Sequence, residues 1–275
     1  MFGQQELLQK LKCMAEANKF PRFLLLVGQA GSEQSEVISE LTRVCEGATL
    51  EMWGSKVDDI RCMIEMAYKN IKGKYLYVIE DVDSISLAGK NALLKVTEEP
   101  PNNAYFVMFA ENVDSILDTI KSRATVIQMD GYSDAQLLKY AEQKYHETDK
   151  EYAHICNTPG DVDLLHSFGV ENVMEYVRKV IYNIHVVSGS NSFKIGGMLN
   201  LGNKSEDKID LRLFWNCFNY KCHVLLSENP DQYTMGIIIT CKYLKQLQVS
   251  GVNKQMLFDN WVLEMRSEWM QYADD

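Results

Sequence analysis

The sequence has no excess of positive charge, no long apolar run and no paired cysteines. Lys and Arg number 28 against 38 Asp and Glu, for a net charge of −10. That balance argues against a general nucleic-acid coat, because non-specific binding of that kind rests on Lys and Arg neutralising phosphates. Any positive face has to be confined or shared with partners. No apolar run approaches the length that spans a bilayer, and the polar, amphipathic opening MFGQQELLQKLK does not read as a signal peptide. The seven cysteines form no CxxC pair and no zinc-like spacing, a pattern that fits reduced thiols. His146, His154, His166, His185 and His223 show no mutual metal spacing either. The expectation is a cytoplasmic protein with no metal site and no membrane partner. Repeats and low-complexity tracts are absent as well.

What is present is a chain of 275 residues with 46% hydrophobic content, enough for two or three domains. Leu7, Leu8, Leu11 and Met14 recur at helical spacing and predict an amphipathic helix over 5–18. The short apolar runs FLLLV (23–27), YLYVI (75–79), YFVMFA (105–110) and TVIQM (125–129) then read as buried strands. Helical stretches alternate with them at 33–45, 56–69, 87–97 and 115–120. Strands apolar on both faces and separated by helices predict a parallel sheet covered on both sides, an α/β domain over 1–130. Ser133 and Asp134 are N-cap candidates for a small helical satellite over 131–170, interrupted by NTPGD (157–161). Helical patterns dominate 171–275, apart from a loop rich in Gly, Ser and Asn over 189–207.

GQAGSEQS (28–35) follows FLLLV directly, where a phosphate-binding loop belongs. A working loop reads GxxxxGK[ST]: backbone N–H groups cradle phosphate, the Lys reaches the outer phosphates, and the hydroxyl binds Mg²⁺. Here Gly28 and Gly31 are present, Glu33 stands where the second Gly belongs, Gln34 replaces the Lys, and Ser35 keeps the hydroxyl. The setting of strand, glycine loop and helix start suits an anion. The chemistry does not, since Glu33 adds a negative charge beside a polyphosphate. A plain strand-to-helix turn without ligand is the alternative. YLYVIEDVDSIS ends its apolar run in Glu80-Asp81, where a Walker B strand would carry its carboxylates. Both features on core strands point to nucleotide-binding ancestry.

Residues 88–101, AGKNALLKVTEEPP, narrow the field: a helix stopped by a proline pair that cannot continue it. The run NALLK-x-x-EEPP closely resembles the segment after Walker B in bacterial sliding-clamp-loader subunits, the delta-prime and gamma/tau AAA+ proteins of DNA polymerase III. KSRA resembles that family's SRC element, with Ser122 and Arg123 matched and Ala124 in place of Cys. FGQQELLQKLK is similar to its opening Gly-Gln helix, and VNKQMLFDNWVLEMR to its last collar helix. The resemblance spans nearly the whole chain, strongest over 75–129 and vague over 170–230. It implies an AAA+ α/β module, a helical lid over 131–170 and an all-α collar over 171–275 that mediates oligomerisation.

Within that family some subunits hydrolyse ATP and others do not. Here the loop Lys is missing, the acidic pair runs Glu-Asp, and no sensor Arg follows Gly160 in NTPGDVDLL. The stretch from Cys45 to Tyr75 is too short for the family's zinc cluster. The resemblance therefore implies a delta-prime-like subunit that does not hydrolyse ATP, with a divergent but active gamma/tau-type ATPase as the alternative. It gives Arg123, beside Ser122, the role of an arginine finger in trans toward ATP-Mg held by a neighbouring subunit; a solvated surface charge is the simpler reading of such a residue. Implied partners are a gamma/tau-like ATPase, a delta-like subunit and primer-template DNA within the assembly. Lys90 and Lys95 are lesser candidates to face that DNA. Met256, Trp261, Met265 and Trp269 follow helical spacing and read as core or subunit contact.

Overall fold

A computed structural model of the chain describes residues 2–45, 47–69, 72–186, 195, 209–249 and 251–272. The Gly-, Ser- and Asn-rich stretch expected to be a loop lies, apart from Ile195, outside the described residues. Internal contacts gather into two units, Met1–Tyr132 and Ser133–Asp275.

The first unit begins with α1 (Gln5–Glu16), then alternates β1 (Phe23–Val27), α2 (Gln34–Val44), β2 (Ala48–Trp53), α3 (Val57–Lys69), β3 (Lys74–Ile79), α4 (Leu87–Glu98) and β4 (Ala104–Ala110). A 3-10 turn (Val113–Ser115), α5 (Asp118–Lys121) and β5 (Thr125–Gln128) complete it. The single helix expected over 115–120 is thus two short pieces. The five strands form one sheet in the order β2-β3-β4-β1-β5, parallel at every pairing.

Alternation of side chains along each strand explains why FLLLV is apolar throughout. Phe23, Leu25 and Val27 face a core shared with Ile60 and Met63 of α3 and Leu93 and Val96 of α4. Leu24 and Leu26 face the opposite way, onto Leu7 and Leu11 of α1 and Val37 and Leu41 of α2. Both faces of the sheet are covered, so both alternating sets are buried. The strand missed by reading apolar runs is β2. It lies at the sheet edge, none of its residues is fully buried, and Leu50 and Met52 remain exposed. Only a central strand needs to be apolar on every residue.

The second unit is helical: α6 (Asp134–Tyr145), α7 (Glu151–Ile155), α8 (Pro159–Phe168), α9 (Val170–Val186), α10 (Leu211–Leu225), α11 (Pro230–Leu247) and α12 (Lys254–Trp269). Ser133 caps α6 in a reciprocal capping box with Gln136. NTPGD does not merely interrupt helical sequence; it starts α8, with Thr158 as N-cap, Pro159 in the first turn and Asp161 closing a second capping box. Asn253 likewise caps α12 through the Met256 amide at 3.1 Å. Trp261, Met265 and Trp269 of α12 are core, whereas Met256 is exposed. The two buried indoles find acceptors, Trp261 at Thr240 Oγ1 and Trp269 at the Gln232 carbonyl, each at 3.0 Å. Close approach of Trp269 explains Gly236, where a Cβ would lie 2.9 Å from the indole. No helix of the described residues is long and apolar enough to cross a membrane.

Candidate functional site

The carboxyl ends of β1 and β3 lie on the same edge of the sheet, with β4 between them. The fold therefore brings the loop Gly28–Ser35 and the pair Glu80-Asp81 to one edge, where ligands of open α/β sheets sit. Gly28 is required by contact: a Cβ there would meet Met129 Cβ at 2.8 Å. Gly31 has φ +81, which glycine adopts without steric cost.

Glu33 is the least expected residue of the loop. It holds φ 55 and ψ 37, left-handed backbone, at the N-cap of α2. This is the position where the phosphate-loop pattern has glycine, and the backbone takes a conformation that glycine adopts most readily. Its side chain is 6% exposed and turns onto the N-terminal segment. The carboxylate accepts the Phe2 amide at 2.8 and 3.0 Å and the Gly3 amide at 2.9 Å. The Tyr132 hydroxyl donates to it at 3.2 Å, and burial holds that phenol well above its usual range, so it remains a donor. Gln4 completes the clasp: its Nε2 donates to the Asp130 carbonyl at 2.8 Å, and its Oε1 accepts the Asp130 amide at 3.0 Å. Gln34 and Ser35 open α2, half-buried and exposed respectively. Neither brings a positive charge to the loop.

Glu80 and Asp81 are both exposed. Asp81 Oδ1 accepts the Ser84 amide at 3.1 Å, and its carbonyl accepts the Ser84 hydroxyl at 3.1 Å, so the residue shapes a turn. The carboxylate that organises this edge is Asp83. Buried, it accepts the Glu111 amide at 2.6 Å, the Asn112 amide at 3.3 Å and the Ser115 hydroxyl. It thereby ties the end of β3 to the end of β4. Lys90 does not face outward as the DNA-facing expectation required. It is 8% exposed, and its Nζ donates to the carbonyls of Asp83 at 3.3 Å and Ser115 at 2.8 Å. Lys95 is exposed on α4.

Ser122 and Arg123 occupy the other edge, in the turn that leads from α5 into β5. β5 pairs parallel with β1, so its entrance lies at the end of the sheet away from the chain's own loop. The Arg123 guanidinium donates to the Thr119 carbonyl at 2.8 Å and to Ser122 Oγ at 3.4 Å. It meets Glu98, from the EEPP run, at 3.2 Å, with both side chains substantially exposed. The Ser122 hydroxyl in turn donates to the Thr119 carbonyl at 3.1 Å. This corner presents a held but accessible cation.

In the helical unit, the acidic residues after Gly160 are engaged internally. Asp161 is 1% exposed and pairs with Arg212 at 2.8 Å while accepting the Asn157 and Thr158 amides. Burial pushes its carboxyl up, against the opposing pull of Arg212 and the two amides. Asp163 collects Lys144 at 2.9 Å, Tyr140 at 2.9 Å and Tyr145 at 2.8 Å.

These features define a parallel α/β module with a glycine-containing loop after its first strand, followed in sequence by a helical unit. Residues 51–133 match the family model described as DNA polymerase III, delta subunit. The DNA polymerase III subunit gamma of Buchnera aphidicola is 34% identical over 88 residues, 31% of this chain and 24% of that protein. The delta' subunit of Haemophilus influenzae is 36% identical over 72 residues, 26% of this chain and 22% of that protein. A solved gamma subunit-related protein of Thermotoga maritima aligns over 95% of this chain and 99% of that one, with TM-score 0.48 and 15% identity. The matched segments span about a quarter of the length of these two sequence relatives. Over these segments the chain is similar to DNA polymerase III gamma and delta' subunits. Gamma and delta' subunits both stand among its relatives at similar identity.

Proposed function

We propose that the chain is a delta-prime-type subunit of a DNA-replication clamp loader that hydrolyses no ATP of its own. In this reading residues 1–130 form the AAA+ module, 131–170 the lid and 171–275 the oligomerising collar. The observation that carries it is Glu33. At the position where a phosphate loop needs glycine and then lysine, this chain has a carboxylate fastened to the Phe2 and Gly3 amides, followed by the uncharged Gln34. The residues at the loop do not fit ATP-Mg. The loop Gly28–Ser35 itself contains no Lys or Arg, and Asp81 is engaged with Ser84.

Arg123 then acts on a neighbour's nucleotide. The chain's own loop lies at the far end of the sheet, so the guanidinium serves ATP-Mg only in trans, in a gamma/tau-like ATPase subunit beside it. A guanidinium offered there stabilises charge that develops during phosphoryl transfer. Before it can do so it must leave Glu98, and an exposed pair of this kind is worth about 1 kcal/mol or less. A delta-like subunit and primer-template DNA complete the assembly, which works in the cytoplasm.

The experiment is turnover by the isolated chain. With saturating ATP and Mg²⁺ the account expects no hydrolysis above background. Robust turnover that disappears on Ser35→Ala or Asp81→Asn would reject it. That outcome would favour the second reading, a divergent active motor of the gamma/tau type, which the similarity to gamma subunits supports.

A further inference from the structure

The base of the sheet, where the strands begin, opens into a cavity of about 430 Å³, within the size range of small-ligand sites. Among the described residues its lining holds four cationic side chains, Lys12, Arg22, Arg43 and Lys74, against one carboxylate, Glu16. In a chain of net charge −10 this local sign runs opposite to the whole. Arg22 directly precedes β1 and Lys74 opens β3. The cavity is therefore separated from the Gly28–Ser35 loop by the length of a strand, roughly 16 Å for five residues. It lies on the α1–α2 face of the sheet, whereas Arg123 follows α5 on the α4 face.

Helix ends explain part of this charge. α1 and α2 finish here, and cations answer the partial negative charge of helix C-termini. That accounts for Arg43, in the last turn of α2, but not for Arg22 or Lys74, which belong to no helix. Arg22 is fixed in advance: its guanidinium lies 4.6 Å from the Tyr105 ring centroid and donates to the Ala104 carbonyl at 3.3 Å. Phe20 steadies the same ring edge-on, at 5.6 Å. Glu40 pairs with Lys12 at 3.6 Å and also with Arg43, which orients both. Among the described residues, Glu16 and Glu40 are the two carboxylates set against these four cations. A guanidinium held in place beside ammonium groups is a donor set that suits phosphate oxygens.

We propose that this basal cavity is an anion site for a phosphate monoester or diphosphate, either free or carried on the 5′ end of a nucleic-acid strand. Its volume admits one such group and excludes a duplex.

Calorimetric titration of the full chain with pyrophosphate, at about 50 mM salt to limit screening, tests this. Saturable one-to-one binding is expected. The double variant Arg43→Gln/Lys74→Gln, whose side chains are exposed, should bind at least about tenfold more weakly, with an unchanged circular-dichroism spectrum. Ser35→Ala should bind like the parent. No saturable binding, or binding abolished by Ser35→Ala and untouched by the double variant, would overturn the proposal. Competition identifies the source. Displacement by a 5′-phosphorylated oligonucleotide but not its 5′-hydroxyl counterpart assigns a strand end, and displacement by neither assigns a free anion. Equal displacement by both would show attraction to polymer charge without a phosphate pocket, and would also overturn the proposal.

Discussion

Two arginines of this chain meet carboxylates in opposite settings. Arg212 lies 2.8 Å from Asp161, whose side chain is 1% exposed. Arg123 lies 3.2 Å from Glu98, with side-chain exposures of 37% and 57%. The geometry is similar, but the solvent is not. Removing one partner of the buried pair strands a charge away from water, whereas water takes over for either partner of the exposed pair. The first is a fastening; under the proposed function the second is a rest position. A residue that must reach another subunit's nucleotide needs the second kind.

The comparison predicts a graded series. Arg212→Met should show the largest loss of stability, about 3 kcal/mol in urea unfolding. Its pH dependence follows from Asp161. Burial raises that carboxyl in the folded chain, so its protonated form is favoured there. The stability this contributes is fully present below the unfolded pKa and is lost as pH rises through the folded one. Without Arg212 that trend steepens, so the cost of Arg212→Met should shrink as the pH is lowered through the carboxylate range. A cost independent of pH would mean that Asp161 does not need its counter-charge.

Next comes Glu33→Ala, expected to lose about 2 kcal/mol as the Phe2 and Gly3 amides lose their acceptor. Glu33→Gly should recover roughly 1 kcal/mol of that, because glycine relieves the left-handed backbone. If the two variants were equally stable, the conformation at residue 33 would carry no strain. Asp83→Ala should cost a comparable ~2 kcal/mol, since it frees the Glu111 and Asn112 amides at the ends of β3 and β4. Smallest of all, Glu98→Gln should move the unfolding midpoint by no more than ~0.5 kcal/mol. A large loss there would make the exposed pair a fastening too and erase the contrast.

Much of the fold was legible in local sequence. FLLLV and YFVMFA announce central strands because both of their faces are covered, and Ser133 with Gln136 announces a helix start because the capping box is local. β2 was not legible, because Thr49 and Glu51 break its apolar residues into single positions, whereas β5, the other edge strand, was visible through the run TVIQM although Val126 and Gln128 are exposed. The site divided in the same way. NALLK-x-x-EEPP and KSRA carried the family resemblance, and the odd residues of the loop were visible as departures from a pattern. What those residues do instead was hidden, because their partners are distant in sequence. Glu33 reaches Phe2, Gly3 and Tyr132, and Gln4 reaches Asp130. Lys90 read as a surface cation because no local signal marks the two carbonyls that bury it.

The central claim is that this chain keeps its chemistry in Arg123 and spends it on a neighbour. DNA-stimulated ATPase of the reconstituted loader, with this subunit as parent or as Arg123→Ala, tests it most directly. The account predicts intact assembly, an unchanged unfolding midpoint, and turnover at the facing site reduced on the order of 10³-fold. Parent-level turnover by an assembly containing Arg123→Ala would contradict it.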